Sequence, residues 1–279
     1  MNILGLVASG RKLGNSEILA KEMLGTLTGE KRLLRLSDLA IEPCRACYAC
    51  LPSQSPCIIH DDLAFFLEQI EWADVVVLTV PCYFLGAHTS IKTIGDRFIS
   101  VLNDGERFRG KRCVVAVSYG VADWEGYARE MTMNFARFLS LEVKGTLLVH
   151  AANPGEVIKP EVLAKARALA KKLTDSESEV EADSIHTCAD CGSSLLQISP
   201  SGRVRCVMCG AAGQLTSETG QFCVTFTPLE HSRFSAAGMA EHGKRLEEIK
   251  AEYIAKRKEL LALRKQYQQQ DEWWIQPPR

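Results

Sequence analysis

The first 174 residues alternate between short apolar runs and longer stretches with helical spacing, and this alternation limits the fold more strongly than any other feature of the chain. The runs are 2-NILGLVA-8, 31-KRLLRL-36, 74-DVVVLTV-80, 112-RCVVAVS-118 and 145-GTLLVH-150. None keeps strict polar/apolar alternation, which is the pattern of strands covered on both faces. Helical spacing marks roughly 15–28, 61–72, 87–103, 124–141 and 160–174. Strand followed by helix, five times over, predicts a doubly wound α/β domain over 1–174 with a five-stranded parallel sheet. In such a sheet ligands sit at the carboxyl ends of the strands, near the switch in strand order.

Two of those strand ends carry chemistry. In 8-ASGRKLGNSE-17 a glycine-bearing turn runs into a helix whose N-cap region is Asn15-Ser16. Backbone N–H groups and the helix dipole there favour a phosphate, to which Ser9, Arg11, Asn15 and Ser16 add side-chain donors. The stretch is neither a GxGxxG fingerprint nor a P-loop, and a turn of this kind also serves as an ordinary helix cap. After the third strand, 81-PCYFLGAHTSIKTIGDRF-98 places Pro81, Tyr83 and Phe84 before a helix bearing Lys92, Asp96 and Arg97. An apolar, aromatic turn beside a phosphate site suits a flat isoalloxazine ring; alternatively Tyr83 and Phe84 plug the core.

Eleven cysteines stand in the chain, four of them in 44-CRACYACLPSQSPC-57. Disulfides, a zinc ion and an iron–sulfur cluster compete for these. A chain of 279 residues, 46% hydrophobic and 24% charged, buries enough core to need no disulfide staples. The N-terminus has only a short apolar run before Arg11 and no basic region leading it, and no window of about 18 apolar residues occurs. The expected setting is therefore the cytoplasm, without membrane attachment, where clustered cysteines bind metal or do redox chemistry more often than they pair. With 33 basic and 34 acidic residues, the net charge of −1 gives no electrostatic case for nucleic acid as the main partner.

The pattern S-x-R-x-x-G-N-S from Ser9 to Ser16, the P-x-Y-F turn and the K-x-x-x-D-R of Lys92 to Arg97 together resemble the NAD(P)H-dependent FMN reductase-like family of the flavodoxin fold. The cysteine motif between the second strand and the next helix resembles that family's iron–sulfur flavoprotein branch. The resemblance covers about residues 1–174. It implies FMN at Ser9, Arg11, Asn15 and Ser16, with Pro81, Cys82, Tyr83 and Phe84 along the ring. A loose version of the glycine-rich fourth loop, 118-SYGVADWEG-126, adds Ser118, Tyr119 and Gly120. It also implies a [4Fe–4S] cluster on Cys44, Cys47, Cys50 and Cys57. C-x2-C-x2-C with a fourth thiolate six residues on can wrap a cubane, whereas structural zinc sites usually split their ligands into two distant pairs. Pro43, Pro52 and Pro56 keep the loop out of helix. Cys82 and Cys113 read as small core hydrophobes, with Cys82 alternatively beside the flavin.

An acidic linker at 175–185 separates a second module at 186–228. There 188-CADCGSSLLQISPSGRVRCVMCG-210 holds two C-x2-C-G knuckles, the spacing of a zinc ribbon. Cys188, Cys191, Cys206 and Cys209 are its ligands, around a hairpin turning at Pro200-Ser201-Gly202; a rubredoxin-like Fe(Cys)4 centre is the alternative metal. His186 reads as a surface residue and Cys223 as structural. In the arm at 229–279, Leu246, Ile249, Tyr253, Leu260, Leu263 and Tyr267 fall on a and d heptad positions, with Lys256 interrupting one d. That seam predicts a homo-oligomer, a dimer or tetramer, with the 273-WWIQPP-278 tail as a further anchor.

Two functions are compatible with this organisation. One is an oxidoreductase passing electrons between FMN and the cluster, to or from a ferredoxin-like carrier or a small-molecule oxidant or reductant, with NAD(P)H as a possible donor; a plain NAD(P)H-dependent reductase without a relay is its simpler form. The other is a redox-sensing module whose ribbon binds a partner. Arg203, Arg205 and sparse aromatics make a poor nucleic-acid surface, which favours the redox reading.

Overall fold

The computed structural model describes residues 1–51, 55–102, 107–175, 187–218, 221–265 and 275. Its first unit contains β1 (Asn2–Val7), β2 (Glu30–Arg35), β3 (Val75–Tyr83), β4 (Gly86–Ala87), β5 (Arg112–Tyr119) and β6 (Glu142–His150). All five long strands run parallel in the order β2-β1-β3-β5-β6, while β4 folds back antiparallel on β3. This is the expected doubly wound sheet, with its switch between β1 and β3.

Alternate residues of the strands face two separate cores. Leu4, Leu6, Val76 and Leu78 join one cluster beneath α2 (Leu63–Trp72), α3 (Thr89–Gly95) and α4 (Ala128–Phe138); its helix-side aromatics are Phe66, Phe98 and Phe135, with ring centroids 4.9 to 6.3 Å apart. Ile3, Val75, Val77 and Val114 face the other, closed by Leu19 and Met23 of α1 (Asn15–Thr26) and Leu169 of α5 (Pro160–Lys171). α1 (Asn15–Thr26) precedes the others in the chain and opens directly after the β1 turn. Apolar side chains at consecutive strand positions are therefore required, and this is why the runs lack a polar face.

The helix expected over 87–103 is shorter, ending at Gly95 and tightening into a 3-10 turn over Asp96–Val101. The one expected from 124 begins at Ala128, because Asp123 and Gly126 take left-handed backbone at φ 63° and 56°. A Cβ on Gly126 would lie 2.2 Å from the Leu85 carbonyl oxygen, so this turn packs closely under the β3–β4 hairpin.

The second unit is an antiparallel sheet of β7 (Leu196–Ile198), β8 (Arg203–Cys206), β9 (Ala212–Glu218) and β10 (Gln221–Phe226). Its β7–β8 hairpin turns at Gly202 with φ 76°, where the sequence places it. The unit docks on α4. Ser194 donates its hydroxyl to buried Glu130 at 2.8 Å, Arg129 reaches the Gly192 carbonyl, and Phe234 meets Phe138 edge-on at 5.4 Å. Beyond its first residue the linker lies outside the described residues, as does His186.

A long helix, α6 (Ala236–Arg264), opens on Ser235, whose hydroxyl accepts from the Gly238 N–H. Midway along it, Lys250 donates to the Tyr48 carbonyl at 2.9 Å, which brings the helix over the cysteine loop. Of the heptad positions, Leu246 and Leu260 are half-buried, whereas Ile249, Tyr253 and Leu263 are exposed. Tyr267, Trp273 and Trp274 lie outside the described residues. No described helix is long and apolar enough to cross a membrane.

Candidate functional site

Four parallel strands end at a cleft of about 220 Å³ lined by Ser9, Arg11, Gly14, Asn15, Ser16, Pro81, Cys82, Tyr83, Ser118, Tyr119 and Gly120, with Ala151, Ala152 and Pro154. The fold thus gathers residues from four separated stretches of sequence. Phe84 is the expected residue it leaves out: with φ 48° it turns its ring wholly into solvent beside exposed Leu85. Ala151, Ala152 and Pro154 of the β6–α5 loop were not foreseen, and no residue type in 151-AANPG-155 announces a ligand.

Local bonding explains how the first loop holds its shape. Gly14, not Asn15 or Ser16, is the N-cap of α1, and no side chain caps it. Asn15 has its amide committed elsewhere: Nδ2 donates to the carbonyls of Ala151 and Asn153 at 3.1 and 3.0 Å, and Oδ1 accepts from the Gly155 N–H at 2.9 Å. It therefore staples the β6–α5 loop to the helix start, and it offers a ligand its backbone rather than its side chain. Ser9 and Ser16 are buried, and the Ser16 hydroxyl lies 3.5 Å from that of Ser118. Arg11 is exposed at the mouth.

Beneath the loop, Arg35 donates to the Ser9 and Arg11 carbonyls at 2.8 and 3.1 Å and to Glu17 at 2.7 Å. Glu17 also accepts from the Leu13 N–H and from Lys21. Hydrogen bonds from Lys21, then Arg35 and Leu13, outweigh burial and hold its carboxyl at about 2, against an ordinary value of 4.5. This buried network escapes sequence reading because Glu17 and Arg35 stand on different elements. Across the cleft, the Cys82 thiol donates to the Glu125 carbonyl at 3.3 Å, and burial raises its pKa. Burial, reinforced by Glu125 and Asp123, also raises the Tyr119 phenol. Cys113, pushed up to about 12 by burial, is an inert part of the core, as expected.

The cysteine loop follows β2, so it leaves the sheet at the same edge as the cleft. Residues 40–48 form no helix or strand, and Ala46 and Tyr48 both take left-handed backbone, at φ 48° and 55°. Two non-glycine residues in that region cost about 1–2 kcal/mol each and curl the chain tightly between the cysteines. The Ala46 N–H points at the Cys44 sulfur at 3.4 Å. Burial raises the Cys50 thiol, and neighbouring Cys57, Cys47 and Cys44 raise it further. Cys57 in turn accepts from buried Arg97 at 3.3 Å. The loop sulfurs do not gather within 4.8 Å of one another as the ribbon's do; it is the four thiols on one short loop, with N–H and guanidinium donors aimed at two of them, that fit a thiolate-ligated cluster.

The ribbon cysteines are arranged differently. All four are at most 3% exposed, their sulfurs lie within 4.8 Å of one another, and the pairs Cys188–Cys209 and Cys191–Cys206 are each 3.5 Å apart. Thiolates at about 2.3 Å from one tetrahedral ion stand roughly 3.8 Å apart, so the set fits a single ion. Gly192 and Gly210 take φ 63° and 83°, the Cys188 and Cys206 N–H groups bond Ser193 and Ala211, and the Ala211 N–H faces the Cys209 sulfur. Cys223 is half-buried on β10, away from these thiols.

Residues 1–153 match the family described as NADPH-dependent FMN reductase, and the chain belongs to that family. It is 31% identical over 100 residues to an iron–sulfur flavoprotein of Methanocaldococcus jannaschii, covering 35% of this chain and 51% of that one. It is 30% identical over 105 residues to an iron–sulfur flavoprotein of Archaeoglobus fulgidus, covering 38% and 51%. The chain thus spans about half the length of the curated relatives it matches. A solved structure of a flavone reductase superposes with a TM-score of 0.78 at 21% identity, covering 100% of this chain and 99% of that one, so the fold of both units and the long helix is shared.

Proposed function

We propose that this member of the NADPH-dependent FMN reductase family is an iron–sulfur flavoprotein oxidoreductase, with FMN in the strand-end cleft and a [4Fe–4S] cluster on Cys44, Cys47, Cys50 and Cys57. The observation that carries the reading is the shared edge: the cleft and the strained four-thiol loop both follow parallel strands of one sheet. Two relatives named as iron–sulfur flavoproteins support it.

In this reading the start of α1 presents backbone N–H groups to the phosphate, with Ser9, Ser16 and Arg11 donating to its oxygens. Pro81, Tyr83, Tyr119 and Gly120 border the ring. A volume of about 220 Å³ is less than the 300–1,000 Å³ usual for a ligand pocket, so part of the ligand lies outside the cleft, past exposed Tyr83. Asn15 and Arg35 hold the two loops that frame the phosphate. Bound together, a flavin and a cluster join two-electron to one-electron chemistry. The loop's exposed Cys47 leaves that corner within reach of a ferredoxin-like carrier or a small-molecule oxidant or reductant, with NAD(P)H as a possible donor. The ribbon takes a zinc ion on Cys188, Cys191, Cys206 and Cys209. The exposed half of the α6 seam packs against a second copy in a dimer or tetramer.

The test is a visible spectrum with metal and acid-labile sulfide analysis on anaerobically purified protein and on Cys47→Ser. Wild type should carry about four iron and four sulfide per flavin, and zinc. The variant should lose iron, sulfide and one-electron transfer while keeping flavin. Flavin without iron after anaerobic reconstitution would replace the relay with a plain NAD(P)H-dependent reductase.

A further inference from the structure

The cysteine loop is tied to the element that follows the flavin-side hairpin by one side chain. Arg97 lies in the 3-10 turn after α3 and is 1% exposed, the largest side chain so fully buried among the described residues. Its neighbours in the motif, Lys92 and Asp96, pair with each other at the surface, so the arginine alone turns inward. Nη1 donates to the Glu42 carbonyl and to Asp61 Oδ2, both at 2.7 Å. Nη2 reaches Asp61 Oδ1 at 3.3 Å, the Ile59 carbonyl at 3.4 Å and the Cys57 sulfur at 3.3 Å. Nε is buried with no hydrogen-bond partner.

Burying a guanidinium is costly unless a counter-charge and full hydrogen bonding accompany it. Asp61 supplies one charge. A merely structural pair would then spend its remaining donors on carbonyls, yet here one donor rests on a cysteine sulfur and another is unspent. Such a group is built to face more negative charge than its own carboxylate provides. Cys57 as a cluster thiolate supplies that charge.

We propose that Arg97 is a positioning residue that raises the reduction potential of the cluster through the Cys57 sulfur, an inference that rests on Cys57 being a cluster ligand. Reduction adds one electron to a core already negative from its four thiolates; no bond breaks and no proton moves. A cation and an N–H donor at a ligand sulfur favour the more negative state. Asp61 acts in the opposite sense, because its carboxylate partly cancels the guanidinium. The pair therefore sets the potential by its balance, and the sign of each variant follows.

The experiment is a mediator-buffered redox titration, followed by electron paramagnetic resonance, of anaerobically reconstituted wild type, Arg97→Gln, Arg97→Lys and Asp61→Asn. Arg97→Gln should be at least tenfold less reduced at the wild-type midpoint, a shift of 59 mV or more to negative potential for one electron. Arg97→Lys keeps the charge without the fork and should fall between. Asp61→Asn should shift to positive potential. If Arg97→Gln fails to assemble the cluster, the positive shift of Asp61→Asn carries the test. Unchanged midpoints at full iron content, a positive shift in Arg97→Gln, or loss of the cluster in both Arg97→Gln and Asp61→Asn would overturn the proposal, leaving the pair a structural clasp. A wild type that takes up no iron and sulfide fails at the metal analysis, before any titration, and removes the cluster reading itself.

Discussion

The ribbon buries its four cysteines to 3% exposure or less, whereas in the 44–57 loop Cys47 is exposed and Cys44 and Cys57 are half-buried. The backbones differ in the same sense. The ribbon places glycine at its left-handed corners, Gly192 and Gly210, while the loop forces Ala46 and Tyr48 into that region. Their supports differ as well: the ribbon has knuckle hydrogen bonds of its own beside the outside contacts of Arg129 and Arg233 to the Gly192 and Cys209 carbonyls, whereas the loop is clamped by Arg97 with Asp61 and by Lys250 of α6. A closed, self-bracing site suits an ion that holds structure. An open, strained and externally clamped one suits a group that exchanges electrons with a partner.

The largest test of this contrast compares Cys206→Ser with Cys47→Ser. Structural zinc supplies about 10–16 kcal/mol of apparent binding free energy in small zinc modules, and this is folding free energy there. Cys206→Ser should therefore abolish protection from amide hydrogen exchange across β7–β10. Cys47→Ser removes a cluster held by one open loop of irregular backbone, so its effect on exchange should stay local to that loop and leave the ribbon untouched. Similar exchange behaviour in the two variants would break the comparison.

Next in size is flavin affinity, which should depend on neither cysteine set. Arg11 is exposed, so its charge-assisted bond to a phosphate should contribute about 1.5–3 kcal/mol. Arg11→Ala should weaken FMN binding roughly tenfold to a hundredfold by fluorescence titration at unchanged iron and zinc content. Full affinity in the variant would move the phosphate contact onto Ser9, Ser16 and the helix backbone alone.

What the sequence reveals and what it hides follow one physical division. Chain-local patterns were legible: the apolar runs, the two cysteine spacings, the turn at Gly202 and three of the four loops that line the cleft. Contacts between elements were not. Asn15 reads as a phosphate donor because asparagine at a helix start usually turns its amide to the helix, yet the β6–α5 loop claims it from more than a hundred residues away. Arg97 reads as one member of a helical motif, and only the fold reveals that Asp61 and Cys57 meet it. The helix over 87–103 looked continuous because Gly95 costs only about 1 kcal/mol by propensity. The seam of α6 reads as a docking face, and its exposed positions leave that expectation for the oligomeric state to decide.

A smaller effect separates the phosphate loop from both metal regions by pH. Glu17 is held at about 2, below its ordinary 4.5. A lowered folded-state pKa contributes stability that is present above about 4.5 and is lost as pH falls toward 2. Glu17→Gln should thus be less stable than wild type at pH 6, by about 2 kcal/mol for the charged hydrogen bonds from Lys21 and Arg35, with the difference shrinking by pH 3. Urea unfolding of both proteins at the two pH values reads it. Acid release of metal from either cysteine set affects both proteins alike and cancels in the difference. A gap that is constant with pH would mean Glu17 acts by packing rather than by charge.

The smallest expected effect exchanges the backbone character of the two regions. Gly192→Ala would place a Cβ 3.8 Å from Arg137 Nη2 and 4.0 Å from Met133 Cε, ordinary contacts, so its cost is the left-handed backbone alone. That cost is about 1–2 kcal/mol, offset by about 0.4–1 kcal/mol from a less flexible unfolded chain, leaving a loss of about 0.5–1 kcal/mol. Ala46→Gly reverses both contributions and should gain a similar amount. Urea midpoints of metal-replete protein, measured anaerobically, give the two signs. Opposite signs mean that the loop stores strain the ribbon avoids. If Ala46→Gly instead destabilises the protein, the surrounding contacts of the loop, Arg97 and Lys250 among them, already absorb the left-handed turn, and the contrast between the two cysteine sets then rests on exposure alone.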